Sequence, residues 1–140
     1  MKVLKSQKEF EIRFSEVDSM GIVWHGSYSL YFEDAREQFG KEYNLGYLYI
    51  FEQGFYAPLV ELHLEYKKPL KYKDKARIEI AYRHTDAAKL IFDYKIYSLP
   101  DNNIVATGYS IQVFLDKSFN LMWDLPPFIK EWRDTYLRDK

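Results

Sequence analysis

Between Ser27 and Gly46 the sequence repeats apolar residues every three or four positions, and almost all of them are aromatic. Tyr28, Tyr31, Phe32, Ala35 and Phe39 fall on one side of a helix with 3.6 residues per turn. Ser27 stands where an N-cap is expected, and Gly46, after Asn44-Leu45, where such a helix is expected to stop. This is the longest helix candidate among the 140 residues. A stripe so rich in rings has to be buried, and the rest of the chain supplies the surface that buries it.

Around this helix the period changes from 3.6 to 2. Glu9 to Ser15 alternates, with Phe10, Ile12 and Phe14 on one face and Glu9, Glu11 and Arg13 on the other. After a loosely helical Tyr47 to Glu52, the remainder reads as strand. Val60, Leu62, Leu64 and Tyr66 alternate with polar neighbours and end at Pro69. Ala76, Ile78, Ile80 and Tyr82 form a second set, and Leu90, Phe92, Tyr94 and Ile96 a third. Ile104 to Asp116 is the longest and most apolar run, which predicts a central strand. Thr85 to Ala88 and Pro100 to Asn103 carry hairpin-turn residues. Pro126-Pro127 opens a short helix with Phe128, Trp132 and Tyr136 stacked along it. The order is strand, helix, four strands and a tail helix: an α+β fold in which one long helix lies against a curved antiparallel sheet. No repeat or linker interrupts it, so residues 1–140 are read as a single domain.

Composition narrows the function. Twenty basic against 21 acidic residues leave a formal charge of −1, which argues against a general nucleic-acid binder. Thirteen Tyr, 10 Phe and 3 Trp are a surplus that implies a pocket or interface as well as a core. The absence of cysteine excludes disulfides, thiolate zinc and a thiol nucleophile, and fits a reducing compartment. No apolar stretch follows the first charged residues and no run approaches the ~20 residues of a membrane span, so a cytoplasmic location is expected.

Chemistry concentrates between the first strand and the helix, in Asp18-Ser19-Met20-Gly21-Ile22-Val23-Trp24-His25-Gly26-Ser27-Tyr28. Asp18 lies seven residues before His25, which stands at a helix start with its unpaired N–H groups and partial positive charge. Such a start polarises a carbonyl oxygen while a nearby carboxylate attacks it or activates water. The same residues also admit ordinary turn chemistry at Asp18 and Gly21 and a capping role for His25.

The run from Asp18 to Tyr28, followed by Tyr31-Phe32-Glu33 and Ala35-Arg36, resembles the signature of the 4-hydroxybenzoyl-CoA thioesterase family, nearest its Tol-Pal-associated acyl-CoA thioesterase subgroup. The likeness continues through Val60 to Pro69, Asp74 to Tyr82 and Leu125-Pro126. It implies the hotdog fold and hydrolysis of an acyl-CoA thioester without a metal or organic cofactor. It also implies homodimers with active sites at the interface, assembled further into a homotetramer. Asp18 then matches the catalytic carboxylate, as nucleophile or general base. The backbone N–H groups of His25 and Gly26 face the thioester oxygen, and the His25 side chain orients Asp18 or the substrate. One departure is Phe14, where many of the subgroup carry Tyr.

The remaining candidates divide by charge. Trp24 and Tyr28 are read as substrate-binding, Trp24 and Met20 lining a pocket or interface. Arg83 and Lys89 are the first candidates for the coenzyme A phosphates, with Lys67, Lys68, Lys71, Lys73 and Lys75 at another hairpin. Glu33 and Arg36 are expected on the exposed side of the helix. His63 has no partner at metal-ligand spacing, so no metal site is expected. Gly46 to Ala57 holds five aromatics, read equally as a pocket wall or as packing on the helix. Two further functions stay open: an acyl-carrier-protein thioesterase and a non-catalytic acyl-CoA-binding hotdog protein.

Overall fold

The computed structural model describes residues 3–138. Strand β1 (Lys5–Glu11) is followed by helix α1 (Tyr28–Tyr43), the short α2 (Tyr47–Glu52) and β2 (Phe55–Tyr56). Then come β3 (Leu59–Tyr66), β4 (Lys75–Arg83), β5 (Lys89–Leu99), β6 (Ile104–Val113), β7 (Leu115–Asp116) and α3 (Pro127–Tyr136). Five strands form one antiparallel sheet in the order β1-β4-β5-β6-β3, while β2 and β7 pair separately. This is the hotdog arrangement, a long helix held by a curved antiparallel sheet with a short C-terminal helix beside it.

The periodicity translates directly into burial. All five residues of the α1 stripe are buried, as are both four-residue sets on β4 and β5 that face them. Phe32 stacks on Tyr94 with ring centroids 4.0 Å apart, and Phe39 meets Phe92 edge-on at 5.0 Å. Trp132 of α3 closes the far end, its indole N–H donating to the Tyr43 carbonyl at 2.7 Å. Gly108 permits the closest approach within the sheet. A Cβ there would lie 2.1 Å from the His63 carbonyl oxygen and 2.7 Å from the Phe32 ring.

Four expectations shift. The first strand begins at Lys5 and stops at Glu11; Ile12 still donates to Asp74 O, and the chain then coils into a 3-10 turn over Phe14–Glu16. Phe14 therefore leaves the strand face; it is 76% exposed and packs edge-on against Tyr72. The helix stops at Asn44, which takes a left-handed φ of 54°, while Gly46 instead precedes α2. Finally, β5 is the central strand. Ile104–Asp116 breaks at the buried Phe114 into β6 and β7, and β6 is interior but next to the edge. Apolar content reports burial, whereas neighbour order depends on pairing. Among the described residues no helix is long and apolar enough to cross a membrane.

Candidate functional site

Asp18 to Gly21 forms a tight turn. The Gly21 N–H donates to the Asp18 carbonyl at 3.0 Å, and Met20 N–H donates to the Asp18 carboxylate Oδ1 at 2.8 Å. Gly21 has a φ of +77°, a conformation that glycine adopts without strain. The turn is fastened on both sides. Val23 N–H reaches Leu70 O at 2.8 Å, and Tyr72 N–H reaches Gly21 O at 3.1 Å. Thus the turn reading of Asp18 and its chemical reading coexist: one carboxylate oxygen is spent on the turn, and no partner among the described residues holds the other.

The helix entrance is built in the same loop. His25–Ser27 form one 3-10 turn that runs into α1. Ser27 does not cap the helix; its hydroxyl donates to Glu16 O at 3.0 Å, as does the Trp24 N–H at 2.9 Å. Ser27 N–H is used by Trp24 O, whereas the His25 and Gly26 N–H groups have no acceptor among the described residues. The Trp24 ring lies across Gly26, so close that a Cβ there would sit 2.1 Å from it, and it packs at 4.9 Å from the His25 ring. The Tyr66 hydroxyl donates to His25 O at 3.1 Å. Tyr28 lies buried beside Tyr66 at 5.0 Å, and its hydroxyl is held above the ordinary tyrosine range by burial first and by Tyr66 second.

Asp18, Trp24, His25, Gly26 and Tyr28 are thereby brought into one neighbourhood. No hydrogen bond joins the Asp18 carboxylate to the His25 ring, which is exposed. What the loop offers chemically is a half-free carboxylate and two free N–H groups at the positive end of a helix.

Arg83 and Lys89 lie elsewhere. Strand β4 starts at Lys75 near the turn and ends at Arg83, about 27 Å away at the usual rise per residue. There Asp93 grips Arg83 through both carboxylate oxygens and pushes the guanidinium pKa further up, and Arg83 lies over the Tyr109 ring. His63 stacks on the other side of this cluster, at 5.1 Å from Tyr109. Lys89 is exposed at the same far end. The other lysine group, Lys67 to Lys75, borders the Asp18 turn through the Leu70, Lys71 and Tyr72 backbone.

Arg36, expected on the exposed side of the helix, is instead turned inward. Its side chain is only 18% exposed, and Nη1 donates to the Tyr94 hydroxyl at 3.1 Å. That hydroxyl is 2.6 Å from Ser110 Oγ, which is fully buried. Glu33, 3.8 Å from Nη2, stays in solvent. Arg36 lines a cavity of about 520 Å³ between α1, α2 and the sheet, floored by Phe39, Leu90 and Phe92. The one available signal was that a polar residue faces Tyr94 across the alternation of β5. The Gly46–Ala57 aromatics divide between a cavity wall and packing, but the packing is on α3 rather than on the long helix α1. Tyr47 remains exposed on the cavity wall, while Tyr49 and Phe55 pack on Phe128.

The sequence profile of the thioesterase-like superfamily matches residues 12–133. A Bacillus subtilis (strain 168) protein provisionally named acyl-CoA thioesterase YneP is 30% identical over 137 residues, 96% of this chain and 97% of its own. The chloroplastic acyl-acyl carrier protein thioesterase ATL3 of Arabidopsis thaliana is 26% identical over 79% of this chain and 58% of its own. Among solved structures, the DHNA-CoA thioesterase from Staphylococcus aureus superposes with a TM-score of 0.84 at 25% identity, covering 95% of this chain and 89% of that one.

Proposed function

The chain belongs to the thioesterase-like superfamily and is a thioester hydrolase, and from this premise we propose that it cleaves acyl-CoA thioesters at the Asp18 turn. Within the superfamily we assign it to the 4-hydroxybenzoyl-CoA thioesterase branch, near the Tol-Pal-associated subgroup, on the run from Asp18 to Tyr28. The observation that carries the site reading is the coincidence, on one loop, of a carboxylate with one oxygen unengaged and two N–H groups without acceptors. The thioester carbonyl oxygen accepts from the His25 and Gly26 N–H groups, where the helix end favours the negative charge of the tetrahedral species. Asp18 either takes the proton from a water that attacks the carbonyl carbon, or attacks that carbon itself to form a mixed anhydride that a water then hydrolyses. In both routes the C–S bond breaks, the sulfur leaves as the coenzyme A thiol, and the acyl group leaves as the carboxylic acid carrying the water's oxygen.

The test is thiol release from a panel of acyl-CoAs by wild type and Asp18→Asn. Asparagine retains an oxygen for the Met20 N–H, so the turn survives while the acid–base group is lost. A loss of about 100-fold or more is expected; equal rates overturn the role of Asp18. Tight binding of acyl-CoA without any cleavage, in wild type, would favour the non-catalytic reading. Acyl-carrier-protein substrates form the second reading, favoured by the likeness to the Arabidopsis protein and by the lysines beside the turn.

We further propose that the active unit is a homodimer joined along β3, and that dimers pair into a tetramer. Strand β3 is a sheet edge with Leu59, Val60 and Leu62 exposed, an arrangement that leaves unpaired backbone and apolar surface open to a second copy. Light scattering that finds a monomer overturns this assembly.

A further inference from the structure

We propose that residues 119–123 are an edge strand through which two copies of this chain pair about a two-fold axis, Leu121 against Leu121. This deepens the tetramer reading above by naming the surface on which β3 dimers meet, and it rests on that reading.

The backbone is arranged for such a contact. After β7 the chain turns at Asp116, whose carboxylate accepts from the Ser118 and Asn120 N–H groups, both at 2.9 Å. It then returns antiparallel to β7, with Leu121 opposite Leu115. The Asp116 N–H donates to Asn120 O and the Met122 N–H to Phe114 O, each at 2.9 Å. Backbone groups alternate in direction along an extended chain, so the N–H and C=O of Leu121 point the other way, out of the small sheet. Among the described residues neither of these two groups has a hydrogen-bond partner. Strand β7 has β2 on its other side, which leaves the returning segment as a free sheet edge.

The side chains along this edge are apolar and face outward. Met122 packs against the core, while Phe119, Leu121 and Trp123 alternate with it and are exposed, Trp123 by 84%. Phe119 has a left-handed φ of 65°, which a bulky side chain rarely adopts. The strained residue holds its ring at the surface, stacked on Tyr56 at 5.2 Å. Tyr56 in turn meets Phe51 at 5.7 Å, and the exposed Tyr47 and Leu48 lie one turn before Phe51 on α2. The ridge therefore continues into an aromatic, uncharged patch of the composition found at interface cores.

Self-complementarity selects a second copy as the occupant. In antiparallel pairing centred on Leu121, the two copies exchange both Leu121 N–H···O=C bonds. Phe119 then faces Trp123 of the partner subunit, and Trp123 faces the partner subunit's Phe119, which makes two aromatic cross-strand pairs related by symmetry. Residues 119–123 carry no charge, so the copies meet without repulsion. The pairing also closes the edge, leaving no strand to recruit a third copy.

Sedimentation velocity on the full chain tests this with wild type, Leu121→Lys, Leu121→Glu and Trp123→Ser. Wild type is expected to sediment as a tetramer. In Leu121→Lys two ammonium groups face each other across the axis, and in Leu121→Glu two carboxylates do, so each variant is expected to sediment as a dimer. An equal mixture of the two is expected to return to the tetramer, a result that misfolding does not produce. Trp123→Ser is expected to weaken the association of dimers about tenfold. Thiol release from acyl-CoA at about the wild-type rate is expected in every variant, because the Asp18 turn lies outside the edge. Variants that stay tetrameric, or a mixture that stays dimeric, overturn the edge pairing and leave the tetramer reading standing. A wild-type dimer that the variants leave intact overturns both, whereas one that they split into monomers supports the edge and overturns the β3 contact. A wild-type dimer that co-sediments with phosphatidylcholine–phosphatidylglycerol vesicles, and no longer does so in Trp123→Ser, gives the ridge to a lipid surface and overturns the proposal.

Discussion

The hydroxyl of Tyr66, at the end of an edge strand, donates to the backbone carbonyl of His25 in the turn that opens α1, at 3.1 Å. The bond fixes the His25–Gly26 peptide, whose own N–H is the Gly26 donor proposed for the thioester oxygen. Tyr66→Phe keeps the ring against Tyr28 and removes only this bond. Its expected effect is a fall in kcat of about fivefold, the equivalent of one hydrogen bond, with KM for acyl-CoA little changed. Steady-state kinetics on one acyl-CoA check it; a rise in KM alone would count against a positioning role.

Tyr94 joins Arg36 to Ser110 inside the barrel of aromatic side chains. Removing its hydroxyl leaves Ser110 buried and unpaired, so Tyr94→Phe is expected to cost about 2 kcal/mol. In Tyr94→Phe/Ser110→Ala the second polar group goes too, and the double variant is expected to be no less stable than the first single one. Urea unfolding of the wild type, Tyr94→Phe, Ser110→Ala and the double variant measures the coupling.

Gly108→Ala places a methyl group between the His63 carbonyl and the Phe32 ring, where no space exists. Overpacking here pushes β3 away from β6, and a loss of about 1–3 kcal/mol is expected. Because β3 is an edge strand and the one proposed to join two copies, the same substitution is expected to shift the assembly toward smaller species. Thermal unfolding and light scattering read the two effects separately.

Alkaline pH should unfold the protein in a specific way. Burial raises the hydroxyls of Tyr28, Tyr82 and Tyr94 above the ordinary tyrosine value, and does so at Tyr31 together with the Glu16 carboxylate. The folded state therefore keeps these four protonated where the unfolded chain has begun to lose protons, near pH 10. Their contribution is intact below that pH and is lost as pH rises through the folded-state values. Ultraviolet titration of tyrosinate is expected to show exposed tyrosines ionising first and the buried group only together with the loss of circular dichroism.

Much of this was legible in the sequence because it is periodic. Tyr28, Tyr31, Phe32, Ala35 and Phe39 had to share a helix face, and the β4 and β5 sets had to face them, since 3.6 and 2 are the only periods the backbone offers there. The turn at Asp18 and Gly21 and the helix entrance at His25 and Gly26 were legible because both are local; the chemical role of these residues is a proposal that rests on the resemblance as well. Arg36 was not. Its helix position reads as exposed, yet its guanidinium turns inward to Tyr94, 58 residues away.

The sequence by itself determined the elements, the aromatic core face and the tight loop between strand and helix in which the site is proposed, because each depends on residues within a few positions of one another. Tertiary structure alone decided the rest. It put Phe14 in solvent against Tyr72, made β5 central and β3 the edge, and carried Arg83 to the far end of β4 while bringing the lysines to the Asp18 turn. Those outcomes follow from which strands pair and in what register, and pairing energies between distant segments leave no mark on the local pattern of either one.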